Sequence, residues 1–315
     1  TFIGHRIILM WFKNLYFFAF TRPFECSEED LEKQLSEHLF TPCASTEQSH
    51  FGWVNALGKH GLSTVHAVNG NYLLCARKEE KILPAPVVKD MLEQKIAQLE
   101  AEQSRGATKK EKEQFKEDII FELLPRAFSR FSDTRAYINP AHNIIVIDTS
   151  SRGKAEDFLA LLRKSLGTLP VTSASPEKAP DEIMTDWLIE SNLGANFQLG
   201  MEAEFNALGD DGAVVRVKNQ DLTSEEIKAH LDADKYVVKV ALEWDESLSF
   251  ILCDDLAVKR LKFYDVIQEQ NDDIDSDDVV AKLDADFALM AGELNRFIDH
   301  LLAEFALKAS DYLEA

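Results

Sequence analysis

Four lysines in one short stretch are the first candidates for binding a polyanion: Lys109, Lys110, Lys112 and Lys116. In a helix, those at positions 109, 112 and 116 fall within about 60° of arc at 3.6 residues per turn. Apolar residues occupy an overlapping arc, which predicts a helix with a basic, solvated tip and a buried base. Solvation alone explains these lysines as well as nucleic-acid binding does.

The segment LPRAFSRF, residues 124–131, is the second candidate. In an extended chain Arg126, Phe128 and Arg130 point to one side, whereas in a helix Arg126 and Arg130 are i,i+4 neighbours. Two arginines on one side suit phosphate contacts or a protein interface. A salt-bridged edge of the core remains the alternative. A third basic cluster, Lys259, Arg260 and Lys262, is also explained by pairing with the preceding Asp254 and Asp255.

Signatures of catalysis or metal binding are missing from the sequence. Gly58-Lys59 and Gly153-Lys154 lack the rest of a phosphate-binding loop, and GxSxG, HExxH and GxGxxG do not occur. Asp273, Asp275 and Asp277 alternate like calcium ligands, but Asp278 stands where the calcium loop needs glycine. We therefore interpret that stretch as the acidic start of a helix. The sequence predicts no enzyme, no metal site and no cofactor.

Composition is that of a folded protein, with 45% apolar and 28% charged residues among 315. Cys26, Cys43, Cys75 and Cys253 lie far apart, which favours free thiols in a cytoplasmic protein. Charges interrupt the apolar N-terminal stretch, so no membrane span is predicted. Residues 1–9 are expected to be a non-native extension, with Met10 as the natural start.

Charge is distributed unevenly along the chain. The net charge is −21, yet residues 76–164 hold 17 basic and 15 acidic residues. The rest of the chain is strongly acidic. This asymmetry suggests an acidic exterior with a locally basic face, although helices with mixed solvated charge explain it equally well.

Strands and helices alternate without βαβ regularity, so the predicted class is α+β. A strand is expected at 11–20, and Asn69-Gly70 predicts a hairpin between 62–69 and 71–77. Further strands are expected at 134–138, 143–148 and 213–218, with three more within 236–262. Helices are predicted at 27–38, from Pro86, and at 109–123, 153–166, 181–190, 224–233 and 276–308.

Several longer strings resemble the RdgC family of recombination-associated proteins. They are MWFKN at 10–14, FTPC at 40–43, ARKEEKILP at 76–84, LPRAFSRF at 124–131, KAEDFLALLRKSLGTLPV at 154–171 and QDLTSEEI at 220–227, with shorter strings within 253–263 and 284–294. The resemblance covers nearly the whole chain from Met10 onward.

This resemblance implies a horseshoe-shaped subunit that closes into a ring as a homodimer. A central region (10–83 and 136–175), a helical tip region (84–135) and a base region (176–315) with a long C-terminal helix are expected. The family binds double-stranded DNA without sequence specificity in the ring, is associated with the nucleoid, and limits RecA in recombination and replication. No catalytic centre is expected.

The expected DNA-binding residues are Lys109, Lys110, Lys112 and Lys116 from their helical spacing and, by resemblance, Arg126 and Arg130 of a tip or ring-closing element and Lys218 and Gln220 of a functional loop. Whether the four lysines face the duplex or solvent is not fixed by the sequence. Phe128 is expected at the dimer interface. Asn219 in the loop RVKNQDL is uncharged, and a second lysine at this position would strengthen the interpretation that the loop binds DNA. The rival hypothesis is a regulator that binds the recombinase directly through its acidic exterior, without needing DNA.

Overall fold

The computed structural model describes residues 10–190, 192–207, 209, 212–271, 274 and 278–313. Residues 1–9 and the predicted acidic alternation Asp273, Asp275 and Asp277 lie outside these ranges. Within the described residues the chain is α+β, as predicted. The strands are β1 (Leu15–Phe20), β2 (Ser49–Val54), β3 (Val65–Val68), β4 (Asn71–Ile82), β5 (Phe128–Asn139), β6 (Ile144–Asp148), β7 (Val171–Ser173), β8 (Phe197–Ala207), β9 (Val214–Lys218), β10 (Lys235–Trp244), β11 (Leu248–Cys253) and β12 (Val258–Phe263).

Eight α-helices accompany these strands in the described part of the chain. They are α1 (Glu28–Ser36), α2 (Ala85–Gln103), α3 (Lys109–Leu123), α4 (Arg152–Leu166), α5 (Pro180–Glu190), α6 (Glu225–Asp232), α7 (Asp265–Gln268) and α8 (Val279–Glu304). None of the described helices is both long and apolar enough to cross a membrane.

The chain divides into two compact units. Unit 1 comprises the described residues within 10–35, 55–75 and 134–313, and unit 2 comprises residues 36–54 and 76–133. The long strands β4 and β5 contribute residues to both units. The predicted central, tip and base regions have boundaries at other residues than these two units, and that division stays a prediction.

Unit 1 is built on an antiparallel sheet with strand order β6-β1-β12-β11-β10-β8-β9. The last residues of β5 pair with β6, β7 pairs with β1, and β3 pairs with the start of β4. Asn69 and Gly70 both have positive φ, 49° and 77°, which the two-residue turn between β3 and β4 requires. The hairpin predicted from Asn69-Gly70 is therefore confirmed.

Helix α8 supplies much of the core of unit 1. Its apolar side chains recur at helical spacing, and Phe287, Leu294 and Phe297 are completely buried. Burying one such side chain contributes roughly 1.5–3 kcal/mol. A buried polar chain adds specificity, because Tyr137 Oη donates to Asn295 Oδ1 at 2.9 Å and Asn295 Nδ2 donates to Asn71 Oδ1 at 3.2 Å.

The carboxylate of Glu32 fixes the chain segment that leads into β3. It accepts four hydrogen bonds, from the hydroxyls of Ser63 and Thr64 and the backbone amides of Thr64 and Val65, at 2.7–3.0 Å. Burial raises the pKa of Glu32, but these hydrogen bonds together outweigh it and hold the pKa below its ordinary value. Glu32 thereby ties α1 to the edge of the β3–β4 hairpin.

Unit 2 contains β2 and the adjoining parts of β4 and β5, which are neighbours in the order β2-β4-β5, together with the helical hairpin α2–α3. The predicted bounds of α3 are confirmed. Thr108 caps the helix, since its hydroxyl accepts the amide hydrogen of Glu111 and the Glu111 carboxylate accepts the amide hydrogen of Thr108. Ile119 is the completely buried residue of α3.

Other predicted elements differ from the structure. The strand expected at 11–20 begins at Leu15, and the helix expected at 276–308 runs from Val279 to Glu304. Strands β2, β7 and β8 were not predicted. The omission of β8 has a physical cause, because two register shifts against β10 break its alternation. Gly200 lies there so close to Ala241 that a Cβ would stand 2.8 Å from the alanine methyl carbon.

Candidate nucleic-acid interface

The sheet of unit 1 buries one face of its last five strands and leaves the other accessible. Val240 and Leu242 of β10 are buried in the core that contains α8, and their sequence neighbours lie on the opposite face, where they are half-buried. We call this opposite side the open sheet face. Its charged residues are six bases and three acids: Arg216, Lys218, Lys239, Lys259, Arg260 and Lys262, with Glu202, Glu204 and Glu243.

Glu204 lies between two of these bases. Strand register places it opposite Arg216 of β9 and opposite Lys239 of β10. Its Oε2 accepts a hydrogen bond from Arg216 Nε at 2.6 Å, and its Oε1 accepts one from Lys239 Nζ at 2.8 Å. Burial raises the pKa of Glu204, but the hydrogen bonds from Lys239 and Arg216 outweigh burial and lower the pKa. The carboxylate is therefore charged at neutral pH.

Glu202 is ion-paired with a third base. It accepts a hydrogen bond from the guanidinium of Arg260, and it lies opposite Lys218 in the β8–β9 register. The pairing of this arginine with Asp254 or Asp255, considered from the sequence, is wrong. Arg260 has a φ of 52° at a register shift between β11 and β12, and this irregularity directs its side chain to Glu202 instead.

The other three bases differ from these in their contacts. Among the described residues, Lys218, Lys259 and Lys262 make no ion pair, and the Lys262 ammonium lies 6.0 Å from the ring centroid of Tyr264. These lysines stand on β9 and β12, which are four strand spacings apart in the sheet. At about 4.8 Å per spacing, the open sheet face is about 19 Å wide.

Gln220, a predicted DNA-binding residue, lies in the turn that follows β9. Asn219 adopts a φ of 52°, and the Gln220 backbone amide donates to the carbonyl oxygen of Met201 at 3.2 Å. The side-chain amide of Gln220 donates to Ser224 Oγ at 3.0 Å. The structure thus places Gln220 beside the first turn of α6, with its amide group engaged within the loop, and Lys218 at the open sheet face.

The four predicted lysines of α3 are all exposed, as a solvated stripe requires. Lys109 is 92% exposed and its Nζ lies 4.0 Å from Glu113 Oε1. The same helix carries five acids, Glu111, Glu113, Glu117, Asp118 and Glu122. Because acids outnumber lysines by one, α3 as a whole is not a basic element.

The tip of the α2–α3 hairpin is also partly neutralised. Arg105 donates two hydrogen bonds to the carboxylate of Glu111, at 2.6 and 2.9 Å. Hydrogen bonds from Arg105 and Thr108 hold the pKa of Glu111 well below its ordinary range. The basic tip predicted from the lysine spacing therefore contains a fixed ion pair.

LPRAFSRF is split between two elements. Leu124–Arg126 form one turn of 3₁₀ helix, and β5 begins at Phe128. Phe128 and Arg130 share one side of β5, as the extended alternative predicted, but Arg126 belongs to the turn that contains Pro125. Arg130 pairs with Glu80 at 2.7 Å, whereas Arg126 makes no ion pair with any described residue.

A buried carboxylate supports the start of β5. Glu79 is 4% exposed and accepts hydrogen bonds from Ser129 Oγ at 2.5 Å and the Cys43 backbone amide at 2.7 Å. The hydrogen bond from Ser129 is the main reason that the pKa of Glu79 is lowered. This anchor was not found from the sequence, since its partners are 36 and 50 residues away.

Unit 2 exposes several large apolar side chains. They are Leu39, Ile82, Val87, Phe121, Phe128 and Phe131. Phe128 is 84% exposed, so it is not a core residue of the single chain. Exposed aromatic residues of this kind are typical of surfaces that bind another macromolecule.

Within the described part of the chain, no group of three or more His, Cys, Asp or Glu side chains is arranged to hold a metal ion.

Comparison with known proteins decides the family. A family model described as "Putative exonuclease, RdgC" matches residues 10–308. The chain belongs to the RdgC family. A "Recombination-associated protein RdgC" from Colwellia psychrerythraea is 79% identical over 305 residues, which are 97% of this chain and 99% of the relative. Proteins of the same name from Aeromonas hydrophila and Salmonella paratyphi B are 55% and 47% identical, each covering 93% of this chain and 97% of the relative.

The resemblance to the RdgC family seen in the sequence is thus confirmed. The two sources differ in what they name, since the family description mentions an exonuclease and the relatives are named for recombination. Of the open sheet face, sequence reasoning identified Lys218 and the cluster at 259–262, but not Arg216, Lys239 or the two acids between them. Only knowledge of β8 and its register could have found those residues.

Proposed function

We propose that this RdgC-family protein binds double-stranded DNA without sequence preference and closes as a homodimer into a ring around the duplex. By occupying duplex DNA it restricts the access of RecA and so modulates recombination. In this proposal the subunit is horseshoe-shaped, and the protein acts in the cytoplasm on the nucleoid. It uses no cofactor and catalyses no reaction.

The open sheet face carries the proposal. Six bases share this face with three acids, although the whole chain has a net charge of −21. A width of about 19 Å lets bases on β9 and β12 reach phosphates on both sides of a major groove about 12 Å wide. Contacts with phosphates position a protein but carry no sequence information, which favours sequence-independent binding.

The exposed phenyl ring of Phe128 supports the dimer. A side chain that is 84% exposed in one chain would be buried if a second copy packed against it. Neighbouring Arg126 has no ion-pair partner among the described residues and is available for a contact across such an interface or with a phosphate. We therefore assign Phe128 to the contact that closes the ring.

A gel-shift titration with bare duplex, without any recombinase, tests the proposal. We expect equal binding of unrelated sequences of one length, with log K falling by about 0.9 per phosphate neutralised for each log unit of salt. The regulator hypothesis predicts no binding to bare duplex. End-labelled duplex incubated with Mg²⁺ or Mn²⁺ should stay intact, whereas progressive shortening would favour the exonuclease of the family description.

A further inference from the structure

Two carboxylates of the open sheet face lie on β8, next to the edge strand β9. The side chain of Glu204 is 16% exposed and that of Glu202 is 28% exposed, so both lie beneath the longer bases around them. Their positions follow from β8, which runs between β9 and β10. A surface used only to attract phosphates has no need of acids among its bases.

These carboxylates divide the six bases into two groups. Arg216, Lys239 and Arg260 are ion-paired to them, while Lys218, Lys259 and Lys262 have no ion-pair partner among the described residues. Arg216 and Lys239 lie opposite Glu204 on the two strands that flank β8, whereas Arg260 reaches Glu202 from β12, three strand spacings away. Half of the positive charge on the face is therefore held close to negative charge.

Stabilisation of the fold is a weak reason for this arrangement. Ion pairs between partly exposed side chains contribute little to stability. Their electrostatic effect on an approaching phosphate is larger. A phosphate that meets Arg216 or Lys239 also meets the Glu204 carboxylate within a few ångströms, well inside the Debye length of about 10 Å at 0.1 M salt.

We propose that Glu202 and Glu204 limit the affinity of the open sheet face for duplex DNA by withholding three of its six bases from the phosphates. This inference rests on the proposed function. The protein then binds through its unpaired lysines first, and the face remains weak enough to release or move along the duplex. Removing either carboxylate charge frees its bases for additional phosphate contacts.

The isosteric variants Glu202→Gln and Glu204→Gln test this inference with short duplex DNA. One additional phosphate contact raises the association constant about eightfold at 0.1 M salt and steepens the salt dependence by about 0.9. We expect an effect of about that size for Glu202→Gln, which frees Arg260. The effect should be larger for Glu204→Gln, which frees both Arg216 and Lys239.

Glu293→Gln is the matched control. Glu293 is 10% exposed, pairs with Arg296 at 3.0 Å, and lies on α8, which packs against the other face of the sheet. The Glu293→Gln variant changes the net charge by the same amount, but it frees no base on the open sheet face, so its affinity for duplex should stay within about twofold of the wild type. Circular dichroism melting establishes that each variant is folded.

The outcomes separate the two proposals. If wild-type protein fails to bind bare duplex, the proposed function fails. If wild-type protein binds but folded Glu202→Gln and Glu204→Gln bind equally or more weakly, the carboxylates only position the bases and this inference is overturned. Tighter binding with a steeper salt slope in these variants, and not in the control, supports it.

Discussion

The open sheet face and helix α3 both present basic side chains, but they do so in different ways. Lysines on α3 follow helical spacing along one exposed helix and are outnumbered by acids on the same helix. Bases on the sheet come from three strands, outnumber the acids two to one, and are placed by strand register. A run of lysines in sequence is therefore a weaker sign of a phosphate-binding surface than bases that strand pairing brings together.

Removing unpaired lysines should therefore affect the two regions unequally. We expect Lys218→Ala, Lys259→Ala and Lys262→Ala together to weaken duplex binding about five hundredfold at 0.1 M salt, since each lost phosphate contact lowers the association constant about eightfold. The matched triple variant Lys109→Ala, Lys112→Ala and Lys116→Ala removes the same charge from α3. Its affinity should fall less than about threefold in the same fluorescence-anisotropy titration. Equal losses would erase the distinction between the two regions.

Truncation of Phe128 separates ring closure in unit 2 from phosphate binding in unit 1. Buried aromatic anchors of interfaces typically carry a few kcal/mol, so Phe128→Ala should reduce salt-resistant retention on closed circular DNA at least about tenfold. Affinity for short linear duplex and its salt slope should stay unchanged. Because the side chain is exposed in the single chain, the melting temperature should also stay unchanged.

A large fall in melting temperature for Phe128→Ala, with unaltered DNA behaviour of the folded fraction, would refute the ring-closing role. Phe121→Ala is the control, because Phe121 is also an exposed aromatic residue of unit 2, on α3. It should leave retention on closed circles as in the wild type.

Parts of this fold were predictable because their signals are local. The bounds of α3 follow from the Thr108 cap and helical periodicity, and the β3–β4 hairpin follows from Asn69-Gly70. The open sheet face was not predictable in the same way. Glu204 and Lys239 are 35 residues apart, Glu202 and Arg260 are 58 apart, and the irregular β8 conceals the register that joins them.

The link between α1 and the β3–β4 hairpin should make stability depend on pH. Replacing Glu32 by Gln should cost about 1–3 kcal/mol, because four hydrogen bonds to a charged acceptor are weakened. Since folding lowers the pKa of Glu32, its contribution is complete above the ordinary value of 4.5 and is lost as the pH falls through the lower folded-state value.

Urea denaturation across a pH series measures this contribution. The gap in unfolding free energy between wild type and Glu32→Gln should be largest near neutral pH and should close at acidic pH. Glu28→Gln, an exposed residue of the same helix, should stay within about 0.5 kcal/mol of the wild type. A gap that widens on acidification would contradict the role assigned to Glu32.

Lysine acetylation followed by mass spectrometry compares both regions in one molecule and tests whether duplex DNA lies on the open sheet face. An amine-reactive ester is applied to free protein and to protein saturated with duplex DNA. We predict strong protection of Lys218, Lys259 and Lys262 by DNA, while Lys109, Lys110, Lys112 and Lys116 react as in free protein. Protection of the α3 lysines without protection of the sheet lysines would contradict the assignment of the open sheet face to duplex DNA.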